Sequence, residues 1–300
     1  MTVASIKPLK QKSTGKEKWR KITPYLYIAP SLILFILFIF YPFTKTLYLS
    51  LNLTDQAGAA IRFIGLENYA TVLHSKDFWF SLGVSFKFAA MVVIGTLILS
   101  TFCALIANES FRGRGFVRTV FAMPMAVSSA CIAVICTFIL HPTSMGVMNY
   151  ILGTSNKWLK DFRLALPSVA GVTIWMNIGM NYIFIIAALQ NVDHSLYEAA
   201  AIEGVNTFQK HWHITLPSIS PTIFFLLIID VIGSFQSYAQ INLMTQGGPG
   251  KYTRVIVYQI YWEAFRSNRY GTAATMSVLL FFVLLILTVI QFRVEKKVTY

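Results

Sequence analysis

The strongest constraint on this chain is a series of long apolar runs separated by shorter polar segments. A helix of about 20 apolar residues crosses the roughly 30 Å hydrocarbon core of a bilayer, because each residue adds about 1.5 Å. The runs cover residues 25–49, 80–107, 116–140, 167–189, 219–243 and 272–292. The sequence therefore predicts six membrane-spanning helices, with a kink at Pro124 in the third.

The composition excludes a soluble enzyme. Hydrophobic residues make up 56% of the 300 residues and charged residues only 12%, whereas soluble domains average about 45–50% apolar and about 25% charged residues. The mean hydropathy is +0.61. Too few polar side chains are present to cover a soluble globule, so the predicted fold class is all-α, a polytopic membrane protein with six transmembrane helices.

Positive charge is concentrated just before the first apolar run, although the whole chain carries +13. Basic segments beside a first span stay cytoplasmic, so this layout indicates membrane orientation and excludes nucleic-acid binding. We expect a basic cytoplasmic arm over residues 1–23, a six-helix membrane domain over 24–293, and a tail over 294–300 on the same side. The basic residues of the arm are Lys7, Lys10, Lys12, Lys16, Lys18, Arg20 and Lys21.

The loop at residues 191–218, NVDHSLYEAAAIEGVNTFQKHWHITLPS, is too polar to span and too patterned for a tether. Ser195 and Glu198 fit a capping box, which predicts a helix beginning at Ser195. Gly204 predicts the end of that helix, and Asn206 with Gln209 predicts a second helix start. The loop is thus expected to hold two short helices at the cytoplasmic surface, and Ala199–Ala201 a small-residue patch. From periodicity alone, an interfacial helix with Glu198 serving only as a cap stays equally open.

The same loop resembles the EAA loop of permease subunits in binding-protein-dependent ABC importers. The family pattern is EAA, three residues, Gly, nine residues, then I-x-L-P, and it matches without a gap. The chain departs from it at Glu203, Val205, Phe208 and His211. Three further stretches resemble the sugar and glycerol-3-phosphate branch of the family: YIAPSLILFILFIFYPF, FIGLENY and MTQGGPG. The chain is identified as a member of that family over nearly its whole length, the basic arm excepted.

The resemblance implies a type I importer permease fold in a bacterial inner membrane, with the partners of that family. These are a second permease subunit, two ATP-binding cassette subunits and an extracytoplasmic substrate-binding protein. It implies that ATP and Mg²⁺ bind the partner ATPase, that this chain holds no cofactor, and that it is not an enzyme. It also implies that one set of loop residues docks on the ATPase: Glu198, Ala199, Ala200, Gly204, Ile214, Leu216 and Pro217.

A polar stripe marks the predicted fifth span. An intramembrane carboxylate such as Asp230 is expensive and points to function, and on one continuous helix it shares a face with three other polar residues. Asn177 and Asn181 share a face of the fourth span. We expect these side chains to line a substrate pathway, although hydrogen bonding to neighbouring helices explains them equally well. The stripe residues are Asp230, Ser234, Ser237 and Gln240.

Other chemistry finds little support in the sequence. The stretch at residues 247–251, GGPGK, fails the phosphate-loop spacing, because Thr245 and Tyr252 replace the required Gly and Ser or Thr. Three cysteines and the pair His211 and His213 match no disulfide framework or metal-ligand spacing. The main alternative is an ion-coupled secondary transporter, which needs an internal repeat and intramembrane ion ligands. The substrate stays open between an oligosaccharide and a polyol phosphate.

Overall fold

The structure is a computed structural model that describes residues 15–109, 111–143 and 146–298. Helix α1 (Gly15–Phe35) continues through a π-helical turn (Ile36–Phe40) into α2 (Tyr41–Ser50). Most of this first span is exposed, and α2 packs on the last helix through the rings of Phe43 and Phe281, 5.6 Å apart. The start of the predicted basic arm, including Lys7, Lys10 and Lys12, lies outside the described residues, as do residues 299–300 of the tail.

A small antiparallel hairpin follows the first span and is the one sheet in the part of the chain that the structure describes. Strands β1 (Asn52–Thr54) and β2 (Ala60–Phe63) pair with Asn52 opposite Phe63, and helix α3 (Glu67–His74) comes next. Side chains fix the hairpin to the rest of the molecule, since the Asn68 amide donates to the carbonyls of Ser50 and Asn52 at 3.0 Å each. The fold is all-α apart from this hairpin.

The centre of the molecule is the pair formed by α4 (Lys76–Asn108) and a later long helix, α8 (Ala165–Gln190). Apolar side chains such as Phe88 and Val169 are fully buried in the core around this pair. The close approach of α4 to α8 depends on Gly95 of α4, because a Cβ there would lie 2.5 Å from Cδ1 of Ile174 on α8. Small residues give this kind of contact between helices in a membrane, where hydrophobic burial adds little.

The third apolar run does not form one kinked span. It divides into α5 (Arg114–Ala122), a 3₁₀ turn (Met123–Ala126) and α6 (Ser129–Ile139), and the two arms are bent by 101°. Pro124 supplies part of the reason, because it cannot donate a helical hydrogen bond. Packing supplies the rest: Gly179 of α8 lies so close that a Cβ there would be 3.1 Å from the backbone nitrogen of Met125. Helix α7 (Val147–Leu152) follows before α8.

The fifth run is also interrupted. After α8 the chain forms α9 (His194–Ile202), α10 (Thr207–Lys210), a π-helical turn (His211–Thr215) and α11 (Leu216–Phe235). The helix then ends at Gln236, whose backbone N–H still reaches back to Ile232 and Gly233. A separate short helix, α12 (Ala239–Met244), continues the chain. The prediction of one span over 219–243 is therefore wrong beyond Phe235.

The last part of the chain comprises α13 (Ile256–Tyr261), a π-helical turn (Trp262–Arg266) and α14 (Tyr270–Val298). The N–H of Ile256 donates to the Ser85 hydroxyl at 2.7 Å, which holds this segment against α4. Five helical segments in the described residues are long and apolar enough to cross a membrane, and a sixth span results if the bent α5–α6 pair counts as one. The six spans predicted from sequence are matched only when this broken pair is counted as one span.

Candidate functional site

The first helix of the loop at residues 191–218 is capped by Asp193. Its carboxylate accepts a 2.9 Å hydrogen bond from the backbone N–H of Ser195, so α9 begins at His194. That bond also holds the pKa of Asp193 below its usual value. The predicted capping box of Ser195 and Glu198 is therefore wrong, because the Asp carboxylate already holds the amide two residues on. Glu198 is exposed on α9 and free to contact a partner.

The end of α9 is as predicted. Gly204 adopts φ +71°, in the left-handed region, and the next N–H, that of Val205, bonds back to the Ala200 carbonyl at 3.0 Å. A Cβ at Gly204 would meet nothing within 4 Å, so the need for glycine comes from its backbone angle and not from crowding. The second helix start is also confirmed, since Asn206 and Gln209 form a reciprocal capping box.

The alanine patch is not one continuous surface. Ala199 and Ala201 are exposed, whereas Ala200 is only 6% exposed and lies inside the loop. Ala199 and Ala200 line a groove of about 480 Å³ that also contacts Val205 and Ile214. The first and second halves of the motif are thus brought together, because α9 folds back on the segment that leads into α11.

Exposed apolar side chains on the loop were not predicted. Ile202 is 88% exposed, and the rings of Phe208 and Trp212 stack 6.2 Å apart on the surface of the loop. The available signal was the spacing of four between Phe208 and Trp212, which places both rings on one helix face. Such a surface indicates a protein contact when it lies away from the membrane.

The second half of the motif joins the loop to the fifth span. Ile214 and Leu216 are half-buried, and Leu216 packs against the core between α4, α8 and α11. Pro217 is exposed in the first turn of α11, where its missing N–H costs nothing. The helical path runs without a gap from Thr207 to Phe235, so the second half of the loop and α11 form one continuous helical segment.

An ion pair ties this loop to the shorter loop after α4, because Lys210 Nζ lies 3.8 Å from a carboxylate oxygen of Glu109. Within the loop itself, the Tyr197 hydroxyl donates to Oγ1 of Thr215 at 3.3 Å. An exposed ion pair of this length contributes less than about 1 kcal/mol. The loop is therefore positioned mainly by its caps and its continuity with α11.

The structure brings together only part of the predicted pathway stripe. The Asn181 amide donates to Asp230 at 2.5 Å, and both side chains are buried between α8 and α11. Ser237 and Gln240 are buried beyond the break at Gln236, so they do not share a helix face with Asp230. Ser237 donates to the Gly233 carbonyl at 3.3 Å.

The remaining stripe residues differ in their surroundings. Ser234 is buried, and its hydroxyl has no hydrogen-bond partner among the described residues. Gln240 contacts the Met176 sulfur at 3.8 Å, and Asn177 is half-buried on α8.

In the part of the chain that the structure describes, no group of three His, Cys, Asp or Glu side chains could hold a metal ion.

Comparison with known proteins decides the family. A sequence profile described as "Binding-protein-dependent transport system inner membrane component" matches residues 96–300. The chain belongs to this family. It is therefore a multi-pass permease subunit of a binding-protein-dependent ABC importer in the inner membrane.

Individual relatives cover almost the whole permease. The chain is 36% identical over 285 residues to the sn-glycerol-3-phosphate transport system permease protein UgpA of Agrobacterium fabrum, spanning 93% of this chain and 97% of that protein. It is 35% identical to the protein of the same name from Salmonella typhi, over 92% of this chain and 95% of that one. These relatives do not favour the alternative of an ion-coupled secondary transporter.

A solved structure shows the same fold. A chain from the crystal structure of a bacterial ABC transporter involved in import of the acidic polysaccharide alginate superposes with a TM-score of 0.82 and 24% sequence identity. The match covers 94% of this permease and 99% of that chain. The comparison thus supports the type I permease fold.

Proposed function

We propose that this permease pairs with a second permease subunit and two ATP-binding cassette subunits, and imports a hydroxylated organic phosphate such as sn-glycerol 3-phosphate. An extracytoplasmic binding protein delivers the solute. The observation that carries the proposal is the unbroken helical path from Thr207 to Phe235, which links the exposed loop to the buried Asp230. Two named relatives at 35–36% identity, both glycerol-3-phosphate permeases, support the substrate class.

The loop supplies the contact with the ATPase. The docking residues are expected to present the exposed side of α9, with Glu198, Ala199 and Ala201 outward. Gly204 sets the direction in which the chain leaves that helix, and Ile214, Leu216 and Pro217 pass the motion to α11. A rigid element with two discrete positions can transmit nucleotide-driven closure across such an interface. ATP and Mg²⁺ act in the partner ATPase.

The orientation follows from the basic arm before the first span. With six spans, residues 1–23, the loop at residues 191–218 and the tail at residues 294–300 all lie in the cytoplasm. The hairpin β1–β2 and the loop that precedes α13 then face the binding protein. Asp230, Asn181 and their neighbours line or support the pathway between the two sides.

The test is reconstitution with defined partners. The permease is co-expressed with a candidate second permease, a candidate ATPase and a binding protein from the same organism, and the membrane complex is purified by a tag on this chain. Recovery of the ATPase and hydrolysis stimulated by binding protein loaded with sn-glycerol 3-phosphate are expected. An ion gradient driving uptake without ATP, or failure to recover any ATPase, contradicts the proposal.

A further inference from the structure

A cavity of about 800 Å³ lies between the beginning of α4 and the beginning of α8. Its lining is mainly apolar but includes two cationic side chains and a set of aromatic rings. The residues that matter here are Trp79, Phe80, Lys87, Phe162, Arg163 and Tyr252. None of them belongs to the pathway stripe or to the loop at residues 191–218, called the coupling loop below, so this cavity is separate from the sites described above.

The two cations lack carboxylate partners in the described part of the chain. The ion pairs there involve other residues, and no carboxylate lines the cavity. Of the two acids nearest in sequence, Asp77 pairs with Lys251 at 2.7 Å, and Asp161 accepts the backbone N–H of Arg163 but does not line the cavity. Lys87 and Arg163 therefore present net positive charge to a partly apolar cavity, an arrangement that attracts an anion.

The aromatic rings form an ordered wall beside these cations. The Tyr252 ring lies 5.9 Å from that of Phe80 and 5.8 Å from that of Phe162, and the Arg163 guanidinium lies 5.4 Å from the Phe162 ring. Trp79 and Tyr252 are 54% and 51% exposed, so their faces remain available to a ligand. Flat aromatic faces suit the C–H surface of a hydroxylated carbon chain, while an Arg fork suits a phosphate.

The wall is held in place from two sides. Lys251, next to Tyr252, donates to both carboxylate oxygens of Asp77 at 2.7 Å. Thr253, on the other side of Tyr252, donates to the Gly248 carbonyl at 2.6 Å. Gly83 faces the cavity with nothing within 4 Å of where a Cβ would stand, so the space between the cations and the rings is open.

We propose that this cavity binds a small organic phosphate, with its anion on Lys87 and Arg163 and its hydroxylated carbons on Trp79 and Tyr252. The inference rests on the proposed function for the identity of the solute, which is the transported molecule at its point of entry from the external side. A phospholipid headgroup such as phosphatidylglycerol carries the same chemistry. The experiment must therefore separate a soluble ligand from a lipid.

The experiment uses a cysteine at Gly83 as the reporter. The complete importer, with Gly83→Cys and with Cys103, Cys131 and Cys136 changed to alanine, is placed in phosphatidylcholine nanodiscs and labelled with an impermeant maleimide. We expect sn-glycerol 3-phosphate to slow the labelling, and neutral glycerol to have no effect at tenfold higher concentration. Lys87→Gln and Arg163→Gln should each raise the half-protecting concentration on the order of tenfold, because each removes a charged hydrogen bond.

A matched control is Lys160→Gln, which removes an exposed charge from the same loop as Arg163 but does not line the cavity. Its half-protecting concentration should stay within twofold of the parent's. Equal labelling with and without sn-glycerol 3-phosphate, or equal protection by glycerol, overturns the proposal. Protection that appears only when phosphatidylglycerol is added to the nanodiscs assigns the cavity to a lipid and also overturns it.

The same preparation separates this inference from the proposed function. Hydrolysis stimulated by the loaded binding protein, together with an unprotected Gly83→Cys, means that the importer functions as proposed and the cavity assignment is wrong. Protection of Gly83→Cys without any stimulated hydrolysis means that the cavity binds the phosphate and the proposed coupling is wrong.

Discussion

The side-chain amide of Asn181 donates a 2.5 Å hydrogen bond to Oδ2 of Asp230, and this contact joins α8 to α11. Both residues are buried, with 2% and 5% of their surface exposed. An unpaired carboxylate inside a membrane protein is costly, so the bond explains how the fifth span tolerates one. Because α11 continues the helical segment that begins at Thr207 in the loop at residues 191–218, the Asn181–Asp230 hydrogen bond also connects that loop to the α4–α8 core.

The Asn181–Asp230 pair makes a prediction for a double-mutant cycle. Asp230→Leu leaves a buried amide without its acceptor, and Asn181→Leu leaves a buried carboxylate without its donor. Each should lower the free energy of unfolding by about 1–3 kcal/mol, and the double variant should lose clearly less than the sum. Denaturant unfolding of the purified complex measures this, with Asp230→Asn as the conservative control.

Uptake assays on the same variants test the pathway assignment. Asp230→Leu should impair transport while the complex still assembles, since the substitution removes the charge and alters the contact with α8. In the unfolding experiment described above, strictly additive losses of stability in the double variant would contradict the Asn181–Asp230 pairing. Wild-type uptake kinetics in Asp230→Leu would remove Asp230 from the transport mechanism.

Gly204→Val should uncouple transport from hydrolysis. A β-branched residue at φ +71° is strained by about 1–3 kcal/mol, so the chain leaves α9 in a different direction. The variant should insert normally, while hydrolysis stimulated by the loaded binding protein is lost. Gly204→Asn is the control, because Asn tolerates the left-handed region, and it should retain most of the stimulation. Equal stimulation in Gly204→Val and the parent would contradict a directional role for this glycine.

Two tryptophan substitutions distinguish the inside of the loop from its docking surface. Ala200 is buried in the loop, so Ala200→Trp should overpack it by about 1–3 kcal/mol and speed amide exchange across α9. Ala201 is exposed, so Ala201→Trp should leave the exchange unchanged but reduce recovery of the ATPase. Exchange mass spectrometry and co-purification measure the two effects. Wild-type ATPase recovery with Ala201→Trp would remove the exposed side of α9 from the interface.

Cysteine labelling tests the orientation. Gln209→Cys, on the exposed side of the coupling loop, should react with an impermeant maleimide only after cells are permeabilised. Ile61→Cys, 64% exposed on the hairpin β1–β2, should react in intact cells and serves as the matched external control. Labelling of Gln209→Cys in intact cells would reverse the proposed topology.

The local sequence determined those features that depend on interactions between residues close together in the chain. The apolar runs predicted five of the long membrane-spanning helices, Gly204 predicted a left-handed helix end, and Asn206 with Gln209 predicted a second helix start. Even over this short range, the prediction that Ser195 and Glu198 cap the first loop helix was wrong. The Asp193 carboxylate accepts the Ser195 N–H instead, and α9 begins at His194.

Tertiary contacts decided where the apolar runs break and which polar groups meet. The third apolar run has the same length whether it forms one straight span or two helices bent by 101°. The close contact of Gly179 with the backbone near Met125 favours the bent arrangement. Asn181 and Asp230 are separated by 49 positions, and only the packing of α8 on α11 brings them together. The cavity with Lys87 and Arg163 likewise requires three distant segments. Hydrophobic period and capping act over a few residues, whereas these arrangements depend on which helix surfaces fit against each other.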